Sequence, residues 1–150
     1  ISKLDVRGWP VFGPVAARLG VIFHDRGEAG SGLRVLREVE AALAAGVAVL
    51  NFPEGTTSDG RGVLHFRKGL FGLAARLGVP VVPVALRYEP ADLAWTGDAT
   101  FVPHYLRMAG RARSRVRVRL GIPVRAEACE DAAALAAATR AEVLSLLEAA

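Results

Sequence analysis

The stretch "VAVLNFPEGTTSDG", residues 47 to 60, constrains this chain more than any other. Val47 to Phe52 is an apolar run broken only by Asn51, the pattern of a parallel strand covered on both faces. Pro53 ends the run, and Glu54, Gly55, Thr56, Thr57 and Ser58 follow. A turn needs only the glycine, or a pair such as Asp59-Gly60. Glu54 is not a turn former. Either it is a carboxylate left in solvent at a strand end, or the strand carries it to a site.

The flanking sequence alternates strand and helix signals. From Val6 to Gly20, Pro10 stands at a first helical turn and Gly20 at a stop. "VIFHDRG" reads as a short strand with a polar end. After the loop "GEAGSG", Ser31 is placed to cap a helix with apolar positions Leu33, Leu36, Val39 and Leu43 and a stop at Gly46. Gly69 to Gly78 reads as a short helix. Val79 to Tyr88 reads as a strand, with Pro80 and Pro83 each removing a ladder donor and marking an edge or bulge. Residues 89 to 114 have no clear period. "SRVRVRLG" alternates as a half-exposed strand, and "DAAALAAATRAEVLSLLEAA" is a helix capped by Asp131. The expectation is one α/β domain, residues 1–150, with a mostly parallel central sheet flanked by helices. Ligands of open α/β sheets bind beyond the carboxyl ends of the strands. His24-Asp25-Arg26 and Pro53-Glu54-Gly55-Thr56 would then offer a cation and a carboxylate to one crevice.

The chain's 150 residues are the size of one domain, and 52% apolar with 23% charged residues is a globular composition. A chain of this size buries about 68–70% of its unfolded surface without staples. The net charge of +4 favours an anionic partner. The one cysteine, Cys129, excludes an internal disulfide and fits a reducing compartment. No apolar run approaches the roughly 18 residues of a spanning helix. No signal-peptide pattern is seen, and the chain opens at Ile1 without a Met, so an upstream segment is expected to have been removed.

Several devices are excluded. "RGEAGSG" lacks the lysine and hydroxyl of a phosphate loop, no G-x-G-x-x-G follows a strand, and no G-x-S-x-G occurs. Cys129 has no histidine near it in sequence, and the three histidines show no metal-ligand spacing. Other candidates stay open between two readings. Arg26 is a bidentate anion ligand or a surface arginine paired with Asp25 or Glu28. Lys68 opens a helix, where its charge opposes the macrodipole; it either holds an anion there or stands exposed on a loop. Arg115, Arg117 and Arg119 share one strand face, with Val116, Val118 and Leu120 on the other. The arginines form a solvated face or a patch for anionic lipid. No aromatic residues interleave with them, which argues against nucleic acid.

Taken in order, "GVIFHDR", "VLNFPEGTTSDG", "FRKG" and "VPVVPVALRY" resemble the glycerolipid acyltransferase family typified by 1-acylglycerol-3-phosphate acyltransferases. The resemblance is close over roughly residues 1 to 88. It implies acyl transfer from a thioester on coenzyme A or acyl carrier protein to a hydroxyl of a lyso-lipid, without a further cofactor or metal. It implies peripheral contact with the cytoplasmic face of the membrane, in membrane lipid synthesis. By the same resemblance, Arg26 and Lys68 bind the acceptor head group, and Glu54, Gly55 and Thr56 shape its site. The family's base is the histidine of a His-x-x-x-x-Asp motif, which takes the hydroxyl proton during attack. That motif is absent: Ala29, Leu70 and Ala109 stand five places after His24, His65 and His104. The chain therefore reads as an N-terminally truncated acyltransferase domain with no catalytic residue of its own, and inactive in isolation. Thr57 stands where the family carries an arginine. The loss of that cation leaves room for an acceptor other than lysophosphatidate, such as an amino-acid-based lyso-lipid. The competing class is a non-catalytic basic α/β module on anionic membrane.

Overall fold

The computed structural model describes residues 1–25, 27–60, 62–89, 93–94 and 100–149, and the chain divides into two units, Ile1–Phe52 and Pro53–Ala150. In the first, β1 (Ser2–Lys3) runs parallel to β2 (Phe23–His24), with Ser2 opposite Phe23 and Lys3 opposite His24. Between them lies α1 (Phe12–Arg18). Gly13 is obligatory there, because a Cβ would sit 2.0 Å from the Arg7 carbonyl oxygen. The helix stops just before Gly20, whose φ of 73° no helix continues.

The next helix, α2 (Ser31–Ala44), buries Ser31, Val35 and Val39, spaced i, i+4 and i+8. The buried stripe is thus turned from the expected one, and Leu33 faces solvent. Ser31 does not cap the helix. Gly30, at φ 86°, holds the N-cap, and the buried Ser31 hydroxyl instead accepts a hydrogen bond from the Asp25 N–H at 3.0 Å. That bond closes the loop after β2.

Val47–Phe52 forms no ladder. The Ile1 amine donates to the Leu50 carbonyl at 3.2 Å, and Val47, Leu50 and Phe52 are each more than half exposed. An apolar run becomes a buried strand only where neighbouring strands supply ladder partners, and β1 is too short to do so.

The second unit holds α3 (Gly69–Leu77), β3 (Val84–Glu89), α4 (Phe101–Ala109), β4 (Arg115–Leu120) and α5 (Ala132–Glu148). The strand expected from Val79 starts only after Pro83, as the missing proline donors require. Strands β3 and β4 pair antiparallel, from Val84 opposite Leu120 to Glu89 opposite Arg115. A mixed helix-and-strand fold is therefore observed. The described strands, however, pair two by two, one pair parallel and one antiparallel, so a mostly parallel central sheet is not confirmed.

The core of this unit gathers Val63, Phe66, Phe71, Ala85, Leu135, Ala136 and Val143, with the rings of Phe66 and Phe71 near-parallel at 6.1 Å. Cys129 is half-buried and packs against that core. Helix α5 begins as expected: the Asp131 carboxylate accepts from the Ala134 N–H at 2.7 Å.

The arginine face of β4 is neither a free solvated face nor a free lipid patch. Ala85, Arg87, Arg117 and Arg119 share the sheet face that meets the end of α5. Arg87 donates to the Leu147 carbonyl at 2.7 Å and Arg119 to the Leu146 carbonyl at 3.3 Å. These cations satisfy the carbonyls that every helix C-terminus leaves unpaired. Arg87 and Arg117 lie opposite one another, a like-charge pair, and Glu89 offsets it by bonding Arg117 at 3.2 Å and Arg115 at 3.6 Å. On the other face Val116, Val118 and Leu120 are exposed, while Arg115 at the strand start also remains open to solvent.

Leu135 has no exposed surface, so Leu135→Ala should cost about 2–5 kcal/mol of stability. Asp131→Ala, which removes only the cap, should cost about 1 kcal/mol. Urea unfolding checks both, and equal losses would contradict this assignment of the core.

Candidate functional site

The strand-ending block and the Phe66-Arg67-Lys68-Gly69 segment are tied together by backbone. The Arg67 N–H donates to the Pro53 carbonyl at 2.9 Å. One Glu54 carboxylate oxygen accepts from the Leu64 N–H at 2.9 Å, closing a loop across ten positions. The far end of that loop is itself held. The Arg140 guanidinium, from α5, donates to the Val63 and Leu64 carbonyls, with Nε at 3.1 and 2.9 Å. A relay thus runs from α5 through residues 63–64 to Glu54, so Glu54 has a structural duty: it pins the loop that presents the hydroxyls.

Gly55 follows at φ 68°, a left-handed conformation that side chains other than glycine adopt only at a cost. A Cβ there would lie 2.5 Å from Arg67 Nε. The Arg67 side chain therefore rests on the bare Gly55 backbone. Thr56 and Thr57 stand exposed beyond it, and Ser58 turns its hydroxyl to accept from the Gly60 N–H at 3.4 Å. Lys68 is exposed at the N-cap of α3, which no side chain caps. The helix start leaves N–H groups unpaired beside a lysine, a combination that favours an anion.

Of the residues singled out by sequence, Glu54, Gly55, Thr56 and Lys68 lie in the second unit, on two segments joined by the Pro53–Arg67 bond. Arg26 lies outside the described residues. Asp25 Oδ1 accepts from the Gly27 N–H at 2.9 Å, and a Glu28 carboxylate oxygen lies 3.7 Å from Arg34. Sequence reasoning missed Arg67 and Arg140. The "FRKG" block contained Arg67, but nothing short of the fold shows that its side chain covers Gly55. Arg140 gave no signal, since it sits in the middle of an unbroken helical pattern. Among the described residues no three His, Cys, Asp or Glu side chains cluster as metal ligands, and no helix is long and apolar enough to cross a membrane.

This loop coincides with the segment that known proteins share. The Acyltransferase family model matches residues 1–87, and the chain belongs to that family. It is 35% identical, over its whole length, to the lyso-ornithine lipid O-acyltransferase of Brucella abortus (strain 2308), of which it covers 63%. It is 34% identical to the enzyme of the same name from Rhizobium meliloti (strain 1021), over 81% of this chain and 48% of the relative. Against the 1-acyl-sn-glycerol-3-phosphate acyltransferase of Neisseria gonorrhoeae it is 36% identical, over 70% of this chain and 40% of the relative. The chain thus spans less than two thirds of the length of each of these relatives. No solved structure matches it significantly.

If Arg67 rests on Gly55, the two positions are energetically coupled. Gly55→Ala should cost about 1–2 kcal/mol for the left-handed backbone alone, and more while Arg67 must move aside. In an Arg67→Ala background the second cost disappears. A double-mutant cycle from urea midpoints should therefore return a coupling of at least about 0.5 kcal/mol; strict additivity would remove Arg67 from this site.

Proposed function

We propose that the whole protein transfers an acyl chain from coenzyme A or acyl carrier protein to the hydroxyl of a lyso-lipid, and that the acceptor is an amino-acid-based lyso-lipid. The observation that carries this reading is Thr57. It stands exposed on the pinned loop where the resemblance calls for an arginine, within a match that extends over the whole chain to a protein named for a lyso-ornithine lipid. A loop without that arginine grips a phosphate monoester less firmly. It still offers the Thr56 and Thr57 hydroxyls and the Lys68 ammonium, which suit the carboxylate or amide of an amino-acid head group.

In the proposed reaction the acceptor hydroxyl oxygen attacks the thioester carbonyl carbon. An ester C–O bond forms, the C–S bond breaks, and the thiol leaves with a proton. A histidine base takes the hydroxyl proton during attack. None of His24, His65 and His104 has the required aspartate five places on, so that base comes from outside these 150 residues. Arg26 and Lys68 bind the head group, and Glu54 and Gly55 keep the loop in shape. The reaction needs no further cofactor. The enzyme works peripherally at the cytoplasmic face of the membrane, and the whole protein carries a mostly parallel central sheet.

With the full-length enzyme, Lys68→Ala and Arg26→Ala should each lower kcat/KM for the acceptor by about tenfold or more, with the donor KM little changed. Thr57→Arg should raise kcat/KM for a phosphate-bearing acceptor relative to an amino-acid-based one. Unchanged acceptor preference in that variant would end the argument from Thr57. The 150-residue chain alone should show at most a trace of turnover, because a general base contributes roughly 10²–10⁴-fold. Ordinary enzymatic rates from it would place the base within this chain.

A further inference from the structure

Helix α4 carries its apolar residues on the wrong side for a water-soluble surface. His104 is buried, whereas Val102 and Leu106 are 62% and 63% exposed and Tyr105 lies beside them at 39%. Val102, Tyr105 and Leu106 are spaced i, i+3 and i+4 and share one face. On the other side Arg107 donates to His104 Nδ1 at 3.0 Å, and the His104 N–H makes the helical bond to the Thr100 carbonyl. The helix thus buries His104 and offers an aliphatic and aromatic stripe outward.

The sequence from this helix onward is rich in arginine. From Thr100 to Arg125 there are seven arginines and no aspartate or glutamate. The remaining residues carry 19 − 7 = 12 basic and all 15 acidic side chains, a balance of −3 against the +7 of this stretch. Arg115, Arg117 and Arg119 are engaged by Glu89 and the end of α5. Arg107 and Arg113, next to the stripe in sequence, are exposed.

We propose that α4 is an interfacial helix that inserts Val102, Tyr105 and Leu106 among the acyl chains of an anionic bilayer while Arg113 meets the lipid phosphates. An aliphatic stripe with a tyrosine, bordered by arginines and free of acidic side chains, complements the apolar interior and negative surface of such a membrane. A nucleic acid would use the arginines but leave the aliphatic side chains unmatched. A second copy of this chain would bring seven further arginines against these. The proposal deepens the reading of a peripheral lipid enzyme, yet lipid binding requires no turnover, so its test is separate from that of acyl transfer.

The test is co-sedimentation of the chain with vesicles of phosphatidylcholine alone and of phosphatidylcholine mixed with phosphatidylglycerol. Binding should favour the anionic vesicles. Val102→Asp combined with Leu106→Asp should weaken it about tenfold or more, with the circular dichroism spectrum retained, since both positions are exposed. Arg113→Glu should weaken binding to anionic vesicles and leave the residual binding to neutral ones in place. Vesicle binding unaffected by the double aspartate variant would overturn the proposal. So would a wild-type dimer in sedimentation that the same variant dissociates, because a second copy would then be the occupant of the stripe.

Discussion

Leu135 lies wholly buried among Phe66, Phe71, Ala85 and Val143, and the helix that carries it organises the second unit. Burial fixes α5, and α5 then acts at three levels. Asp131 caps its start, Arg140 from its middle holds the Val63 and Leu64 carbonyls, and its last carbonyls receive Arg87 and Arg119. The loop from Glu54 to Leu64 owes its shape to this helix. Val63 anchors it in the core, and hydrogen bonds tie the rest of its far end to an element that the core has already immobilised.

That dependence gives the Phe-Pro-Glu-Gly block a second meaning. A carboxylate at a strand end suggests a group aimed at substrate. Here one Glu54 oxygen accepts from the Leu64 amide, and Thr56, Thr57, Arg67 and Lys68 stand exposed around the loop. Glu54 and Gly55 act through backbone geometry: one closes the loop, and the other leaves room for a guanidinium. Residue types at a site can therefore reflect the positioning of neighbours as much as contact with substrate.

The arginines show the same division between composition and placement. Seven lie within one stretch free of acids, which as sequence looks like a single basic patch. The β3–β4 register splits them. Arg117 and Arg119 fall on the face that meets α5, where they neutralise a helix end, and Val116, Val118 and Leu120 are left facing outward. Strand alternation fixes that residues two apart share a face, but which face turns inward depends on what packs there. Ala85, small and almost wholly buried opposite Arg119, lets α5 approach that side.

Sequence by itself determined what short-range physics controls. The stops at Gly20, Gly46 and Gly78 and the Asp131 cap all follow from the φ preference or acceptor of one residue. The ordered blocks were legible too, and the acyltransferase family read from them is borne out by the match over residues 1–87. Only the tertiary structure decided what depends on partners distant in sequence: that Val47–Phe52 forms no ladder, that Ser31 closes a loop instead of capping a helix, that Leu33 faces out and Val35 in, and that Arg67 and Arg140 build the site loop. The reason is physical. A cap or a breaker acts within a few residues along the chain, whereas a buried face or a long-range hydrogen bond exists only once another segment has folded against it.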